Sequence, residues 1–482
     1  MQKTYFLIAL LILVLHVSLQ AQKKLQLPSR GLSFYAAKDS SASVRMITLM
    51  QFWARYQELN EGTVYKNQQR SQAFDLSIRR FSFIPVFQIS PRLLMLFNVT
   101  GISNAGNAPN QPSLSLSFTD AYAEYKFSDK LFIGAGLSQW TGLSRLTVDG
   151  VATLINADLP AFQYPLLNRL DRISRSIGIY AKGRLAKLNY RLMLADPFTP
   201  PAQTQAANTG GGSPSGGILK APAGNAQVQV AYLNPAAIAP LLQGYAQWEF
   251  LDKEPNIIPF ENNTYFGTKR IFNLGGGFMW RSKGVLTPEN ISLQDASQPA
   301  SSNNPLIVQE AAVSDFKAFA LDLFLDYRLS PKLDGIVAYA GFFMIDLGKN
   351  YYTIAGNQNI GAANPNRLPG ISGAGNGLPA TGTGNSFYSQ LGYLAPKGFI
   401  SEANRFGIFA TYQYSDFEAL AEAVQIYETG LNWFIAGNGL KCTLQYRNRP
   451  EFEGEAAFGE VASTARVARR KSEMILQVQM SF

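Results

Sequence analysis

The sequence predicts an all-β protein: a transmembrane antiparallel β-barrel of about 16 strands, with short periplasmic turns and long extracellular loops. Three observations carry this. Residues Met474 to Phe482 alternate, with Phe482, Met480, Val478, Leu476 and Met474 on one apolar face and Ser481, Gln479 and Gln477 opposite. Upstream, strand-like segments come in pairs, joined alternately by tight turns and by long Gly/Pro/Asn/Ser-rich connections. An N-terminal export signal is followed by no apolar run long enough for a spanning helix, so an exported chain that crosses a membrane does so as a closed sheet.

Composition agrees. The 482 residues are 16% charged and 12% aromatic, with 41 Gly and 22 Tyr, which suits strands between two environments better than amphipathic helices. The formal charge of +9 is spread along the chain and gives no block of the kind that binds nucleic acid.

Residues 1–21 read as a signal peptide, with Lys3, the apolar run Tyr5 to Leu15, and Ala21 before the cleavage site. Residues 22–43 are expected to form a periplasmic arm and residues 44–482 the barrel. Strands are predicted near 45–57, 74–89, 92–101, 114–127, 131–138, 173–182, 187–195, 242–251, 270–281, 316–328, 333–346, 385–393, 404–414, 422–434, 440–449 and 470–482. Tight turns are predicted at Ser90-Pro91-Arg92, Ser128-Asp129-Lys130, Lys182-Gly183-Arg184, Ser330-Pro331-Lys332 and 436–439. Two longer connections, 252–269 and 395–403, fall on the same side. The long loops include 200–226, 282–314 and 348–384.

Aromatic residues gather toward strand ends, namely Phe127, Phe132, Trp433, Phe434 and Phe482 near short turns, and Trp140 and Trp280 near long loops. This predicts interfacial girdles.

Residue inventory excludes several chemistries. Cys442 is the only cysteine and His16, inside the signal, the only histidine. A mature chain has no Ser-His-Asp triad, no histidine-ligated zinc and no disulfide. Gly275-Gly276-Gly277 and the GGGSPSGG loop lack the Lys-Ser/Thr of a phosphate loop. No enzyme activity, metal or cofactor is expected.

Several stretches then carry a likeness. Ser77-Ile78-Arg79-Arg80-Phe81, Asp120-Ala121-Tyr122-Ala123-Glu124-Tyr125-Lys126-Phe127, Gly134-Ala135-Gly136-Leu137, Gly244-Tyr245-Ala246-Gln247-Trp248-Glu249-Phe250 and Tyr427-Glu428-Thr429-Gly430-Leu431-Asn432-Trp433-Phe434 together resemble the phosphate-selective porin O/P-like family of Gram-negative outer membranes. The resemblance is diffuse, covers most of the mature chain, and implies a sixteen-stranded, usually trimeric barrel that passes small solutes by diffusion.

On the polar faces the expected pore-lining residues are Arg80, Asp120, Glu124, Lys187, Arg191, Arg281, Asp322, Asp326, Arg328, Arg405, Glu428, Lys441 and Arg447, with Lys471 and Glu473 further along the last strand. This mild excess of positive charge predicts a weakly anion-preferring pore rather than a phosphate filter. The resemblance implies that the third long loop, 139–172, folds inward as a constriction carrying Arg145, Asp149, Asp158, Arg169, Asp171 and Arg172, the alternative being a surface loop with solvated charges. Phe482 is expected to be the insertion signal read by the barrel-assembly machinery. The leading function is a passive diffusion porin for small hydrophilic solutes with a mild preference for anions, a homotrimer in outer-membrane lipid. The alternative is a structural or adhesion barrel with a plugged lumen, whose long loops bind another envelope component.

Overall fold

Alternating apolar and polar residues along sixteen segments close one antiparallel sheet on itself, in a computed structural model that describes residues 31–35, 42–103, 114–140, 142–160, 175–196, 218–220, 227–229, 232–234, 236–290, 310–363, 371–396, 398–399, 404–457 and 462–482. The barrel strands are β1 (Ser43–Glu58), β2 (Gln72–Ser90), β3 (Leu93–Ser103), β4 (Leu114–Ser128), β5 (Leu131–Ser138), β6 (Ser176–Leu185), β7 (Leu188–Asp196) and β8 (Leu241–Glu249). They continue as β9 (Ile271–Asn290), β10 (Glu310–Arg328), β11 (Gly335–Asp346), β12 (Gly384–Leu394), β13 (Arg405–Phe417), β14 (Val424–Phe434), β15 (Leu440–Glu453) and β16 (Arg466–Ser481). Each pairs with its neighbour in sequence, and β16 pairs with β1 from Gln57↔Glu473 to Leu49↔Ser481. Phe482 completes the seam: its backbone N–H donates to Thr48 O at 3.2 Å and its carbonyl accepts from Thr48 N at 2.8 Å. Closure leaves no sheet edge, the condition for backbone to cross hydrocarbon.

The expected strand count and order match the structure, and the departures have local causes. Lys182-Gly183-Arg184 is wall rather than turn: β6 runs on to Leu185, and Ala186 and Lys187 make the turn, Ala186 with φ 57°. Lys182 and Arg184 find carboxylates at wall positions, at 3.1 Å (Glu124) and 2.6 Å (Glu249), which holds that stretch in the sheet. Strands β9 and β10 extend their ladder to Asn290↔Glu310, past a bulge between Arg281 and Val285, into what the sequence suggests is loop. The turns opened by Ser90, Ser128 and Ser330 are each capped by the serine Oγ, which accepts a backbone N–H two residues on.

The outer face is apolar, with Ile177, Leu194, Leu274, Leu321, Leu391 and Ile408 exposed at successive positions around it. Among the described residues no helix is long and apolar enough to cross a membrane, and a barrel crosses with strands. Phe127, Trp280 and Phe482 lie on this face, and Trp433 stacks on Phe406 at 6.0 Å. Two aromatics expected in the girdles are inside instead: Trp140 and Phe434 are buried. Trp140 lies beneath the Lys182 ammonium, 3.7 Å from its ring, and Phe434 packs edge-on against Phe266. Within the N-terminal arm, Leu32–Tyr35 pairs with Ser43–Met46 of β1. Residues 1–30, which include the expected signal peptide, lie outside the described residues.

Candidate functional site: the barrel interior

Polar side chains alternate inward on every strand, but they do not face an open lumen. Gln51, Asp120, Asp326, Lys441, Gln445, Gln477 and Gln479, spread around the ring, are each 0% exposed. Three connections fold inward and cover them.

The first is 139–160, from the long-loop side. It enters where Gly142 lies flat on Gly244 of β8; a Cβ at Gly142 would stand 2.2 Å from the Gly244 nitrogen, so a side chain is excluded there. Its 3-10 turn, Arg145–Val148, is fixed at both ends of Arg145. The backbone N–H donates to Asp322 Oδ2 at 2.7 Å. The guanidinium makes a two-pronged contact with Glu254 at 2.6 and 2.8 Å, a further one with Glu261 at 2.8 Å, and lies 3.7 Å over the Phe324 ring. Arg191 of β7 holds Glu261 at 3.1 Å and Ser144 O at 2.7 Å. Asp322 also accepts from the Tyr245 and Tyr339 hydroxyls, at 2.7 and 3.1 Å.

The segment then crosses to the opposite wall. Gln479 donates to Ala152 O at 2.8 Å, Lys441 Nζ to Leu154 O at 2.5 Å, and Asn432 to Ile155 O at 2.6 Å. Ala157 N donates to Gln445 at 2.8 Å. Asp158 closes the crossing on β2, where Arg79 pairs with it at 2.9 Å and Arg80 holds its other oxygen. Arg79 and Arg80 both point inward because β2 bulges there: Gln51 pairs with Arg80 and Phe52 with Ile78, leaving Arg79 as the extra residue. A strict two-residue period hides Arg79, so the sequence identifies only Arg80.

The second connection, 250–270 between β8 and β9, comes from the short-turn side. Sequence suggests only a longer turn, yet Glu254, Glu261, Thr264 and Tyr265 are buried in the lumen. It joins the first segment by backbone pairing: Gly150 N donates to Glu261 O at 2.8 Å, and Glu261 N to Val148 O at 2.9 Å. Lys182 Nζ holds its Asn256 and Ile257 carbonyls at 2.8 and 3.0 Å. Tyr265 N donates to Asp326 and its hydroxyl to Glu254 at 2.7 Å. Leu143, Leu146 and Ile155 of the first segment, with Tyr265 of the second, join wall residues such as Met279, Phe324 and Phe343 in one apolar core.

The third connection, 347–383, caps the long-loop end. Arg55 donates to Asn357 O at 2.7 Å and to Gln358 O at 2.6 Å while paired with Asp75 and Glu473, each at 3.0 Å. Arg449 meets Asn60 Oδ1 at 2.7 Å and Gly375 O at 3.3 Å.

Where these segments meet, charge is not balanced. Asp149 is buried, and among the described residues neither of its carboxylate oxygens has a hydrogen-bond partner. Burial pushes its carboxyl up to about 8, which Arg145 opposes and the neighbouring Glu261 reinforces. Burial likewise raises Glu261 to about 6 against the pull of Arg145 and Arg191.

Of the residues singled out from sequence, Arg145, Asp149 and Asp158 come together with Arg80, Arg191 and Asp322 around the inward segment. Asp326 supports the second connection. Asp120 pairs with Arg175 at 2.9 Å, Glu124 with Lys182, and Arg447 with Glu428 at 2.7 Å. Glu473 pairs with Arg55 and Lys471 with Glu451. Lys187 and Arg328 are not in the lumen: Lys187 is in the β6–β7 turn, exposed, with its Nζ on Phe250 O, and Arg328 is the exposed last residue of β10. Arg281 and Arg405 sit toward opposite ends, Arg281 on the Ala237 and Ala239 carbonyls and Arg405 on those of Phe266, Leu333 and Ala395. Arg169, Asp171 and Arg172 lie outside the described residues.

No protein-family model matches the chain, and no curated protein does. Solved structures with a similar course include the outer membrane channel DcaP of Acinetobacter baumannii (11% identity, 94% of this chain and 100% of that one, TM-score 0.48). Others are an anion-selective porin from Comamonas acidovorans (10% identity, 92% and 100%, TM-score 0.45) and OmpT of Vibrio cholerae in its trimer form (8% identity, 92% and 100%, TM-score 0.45). At such scores these likenesses are descriptive, and the fold stands on the strand pairings themselves.

Proposed function

We propose that this chain is a Gram-negative outer-membrane channel of porin type, closed at rest, that passes small hydrophilic solutes when the segment 139–160 shifts. The observation that supports this is how the segment is held. Its far half is fastened to the wall by ionic contacts and by side-chain bonds to its carbonyls, from Lys441, Asn432, Gln479, Arg79 and Arg80. Buried ion pairs give little net stability over apolar packing of the same volume, whereas water can replace each of these contacts once the segment moves. A wall lined by such groups is a polar conduit when uncovered.

A mild preference for anions belongs to this reading. Among the described residues, Lys441, Arg449, Arg281 and Arg405 meet only carbonyl or amide oxygens, so no described carboxylate in contact cancels their charges. Trimeric assembly in outer-membrane lipid, and recognition of Phe482 by the barrel-assembly machinery, are further parts of the proposal.

A second reading is favoured by the burial of the whole inner ring: a permanently closed barrel whose long-loop end binds another envelope component. Planar-bilayer recordings of the purified full-length barrel separate the two. The channel reading predicts discrete openings with long closed intervals and a small anion preference. A folded barrel that never opens, at any voltage or pH, overturns it and leaves the second reading.

A further inference from the structure

On the outer face, near the long-loop end of β16, one arginine stands apart from the ion pairs of the interior. Counting outward-facing residues up β16 from Phe482 gives Met480, Val478, Leu476 and Met474, then Ser472 and Arg470. Arg470 lies twelve residues from the end, which at ~3.3 Å per residue and a strand tilt of ~40° places it about 30 Å up the barrel. That is just beyond an apolar band of roughly 25 Å, at the level of lipid headgroups.

The side chain is held ready. Its Nη2 donates to Gln425 O at 2.8 Å and Asn448 O at 3.1 Å, its Nε donates to Asn448 Oδ1, and its guanidinium lies 5.0 Å over the Tyr427 ring. All three acceptors are neutral, and among the described residues Arg470 makes no ion pair. Its neighbour Arg469, by contrast, pairs with Glu61, Glu451 and Glu453. Glu58, on the same outer face, is engaged by the Ser472 backbone N–H at 2.7 Å. Tyr427 and Tyr446 flank the site, each exposed on the outer face.

From this geometry we infer that Arg470 and its tyrosine surround form a binding site for the phosphate of an anionic lipid, here a phosphomonoester-bearing lipid of the outer leaflet. The inference rests on the proposed membrane setting and orientation, and not on whether the lumen opens. With Nε and both Nη2 hydrogens engaged, the guanidinium presents the two N–H groups of Nη1 to the phosphate oxygens, while the tyrosines meet the glycerol and upper acyl region. The charge left uncancelled at this height is complementary to an anionic headgroup.

Native mass spectrometry of the detergent-purified full-length barrel tests it, with phosphatidic acid, phosphatidylcholine and inorganic phosphate as probes. The wild type should retain phosphatidic acid over phosphatidylcholine by about tenfold, Arg470→Gln should lose about tenfold in that retention, and Arg470→Lys should fall between. Arg469→Gln should match the wild type. Heat-modifiable mobility on gels confirms that each variant is a closed barrel. Equal retention by Arg470→Gln, or no preference between the two lipids, overturns the inference; so does inorganic phosphate binding to Arg470 as well as the lipid does. Lipid retention with no channel openings would uphold the site and refute only the channel reading.

Discussion

Replacing Asp158 with alanine tests the fastening of the inward segment at the point where its charge is concentrated. Asp158 is the shared partner of Arg79 and Arg80, with the Arg79 contact at 2.9 Å and all three side chains buried. The variant removes the carboxylate that Arg79 and Arg80 share, in a site that water reaches only if the segment moves. Breaking a buried pair in this way costs about 3–5 kcal/mol. The barrel wall does not depend on Asp158, so the penalty falls on the closed arrangement of 139–160. At ~1.4 kcal/mol per decade the closed-to-open ratio should drop by about a hundred- to a thousandfold. Single-channel recording reads this as open probability. Asp158→Asn, which keeps an acceptor but loses the charge, should give an intermediate value. If Asp158→Ala forms a heat-modifiable barrel with the wild-type open probability, the tip contact does not hold the channel closed.

Other expectations follow from the same contacts. Asp149 has its folded value raised to about 8 from 3.8, so ionisation disfavours the closed arrangement: that arrangement is most stable below about 4 and loses stability as pH rises toward about 8. Open probability should therefore climb across that window and level off above it, and Asp149→Asn should flatten most of the rise. Lys441→Gln removes a cation whose contact is the Leu154 carbonyl; the anion-to-cation permeability ratio, read from reversal potentials, should fall by roughly a factor of two. Deleting Phe482 removes both backbone bonds to Thr48 at the barrel seam, together with the proposed insertion signal, and should lower the heat-modifiable fraction in membranes several-fold; an unchanged fraction refutes the signal role.

The wall was legible because its physics is local. Each strand has to satisfy lipid on one side and polar groups on the other, so Leu192 and Leu194 against Arg191, or Phe319 and Leu321 against Asp322, disclose the face of each residue without any tertiary information. For loop 139–172 the sequence left two courses open, an inward constriction and a surface loop, because charges of both signs are satisfied equally by water or by a wall. What stayed hidden depends on contacts between distant residues. Nothing local in 252–269 distinguishes a periplasmic turn from a segment that climbs into the lumen; its burial is settled by Arg145 and Lys182, from two other parts of the chain. The bulge that turns Arg79 inward breaks the period on which face assignment relies. The closed interior is likewise a property of three connections together, whereas inner-face alternation is the same whether water or protein fills the barrel.

The central claim, that protein fills the resting lumen, is tested most directly by thiol accessibility at Thr443. This residue faces inward on β15 and is 0% exposed, next to the native Cys442, which is on the outer face and is the only cysteine. In a Cys442→Ser background, Thr443→Cys should resist a small, charged, membrane-impermeant thiol reagent, and adding Asp158→Ala should speed its modification by at least about a hundredfold. Rapid modification of Thr443→Cys with Asp158 intact would show an open lumen and contradict the account.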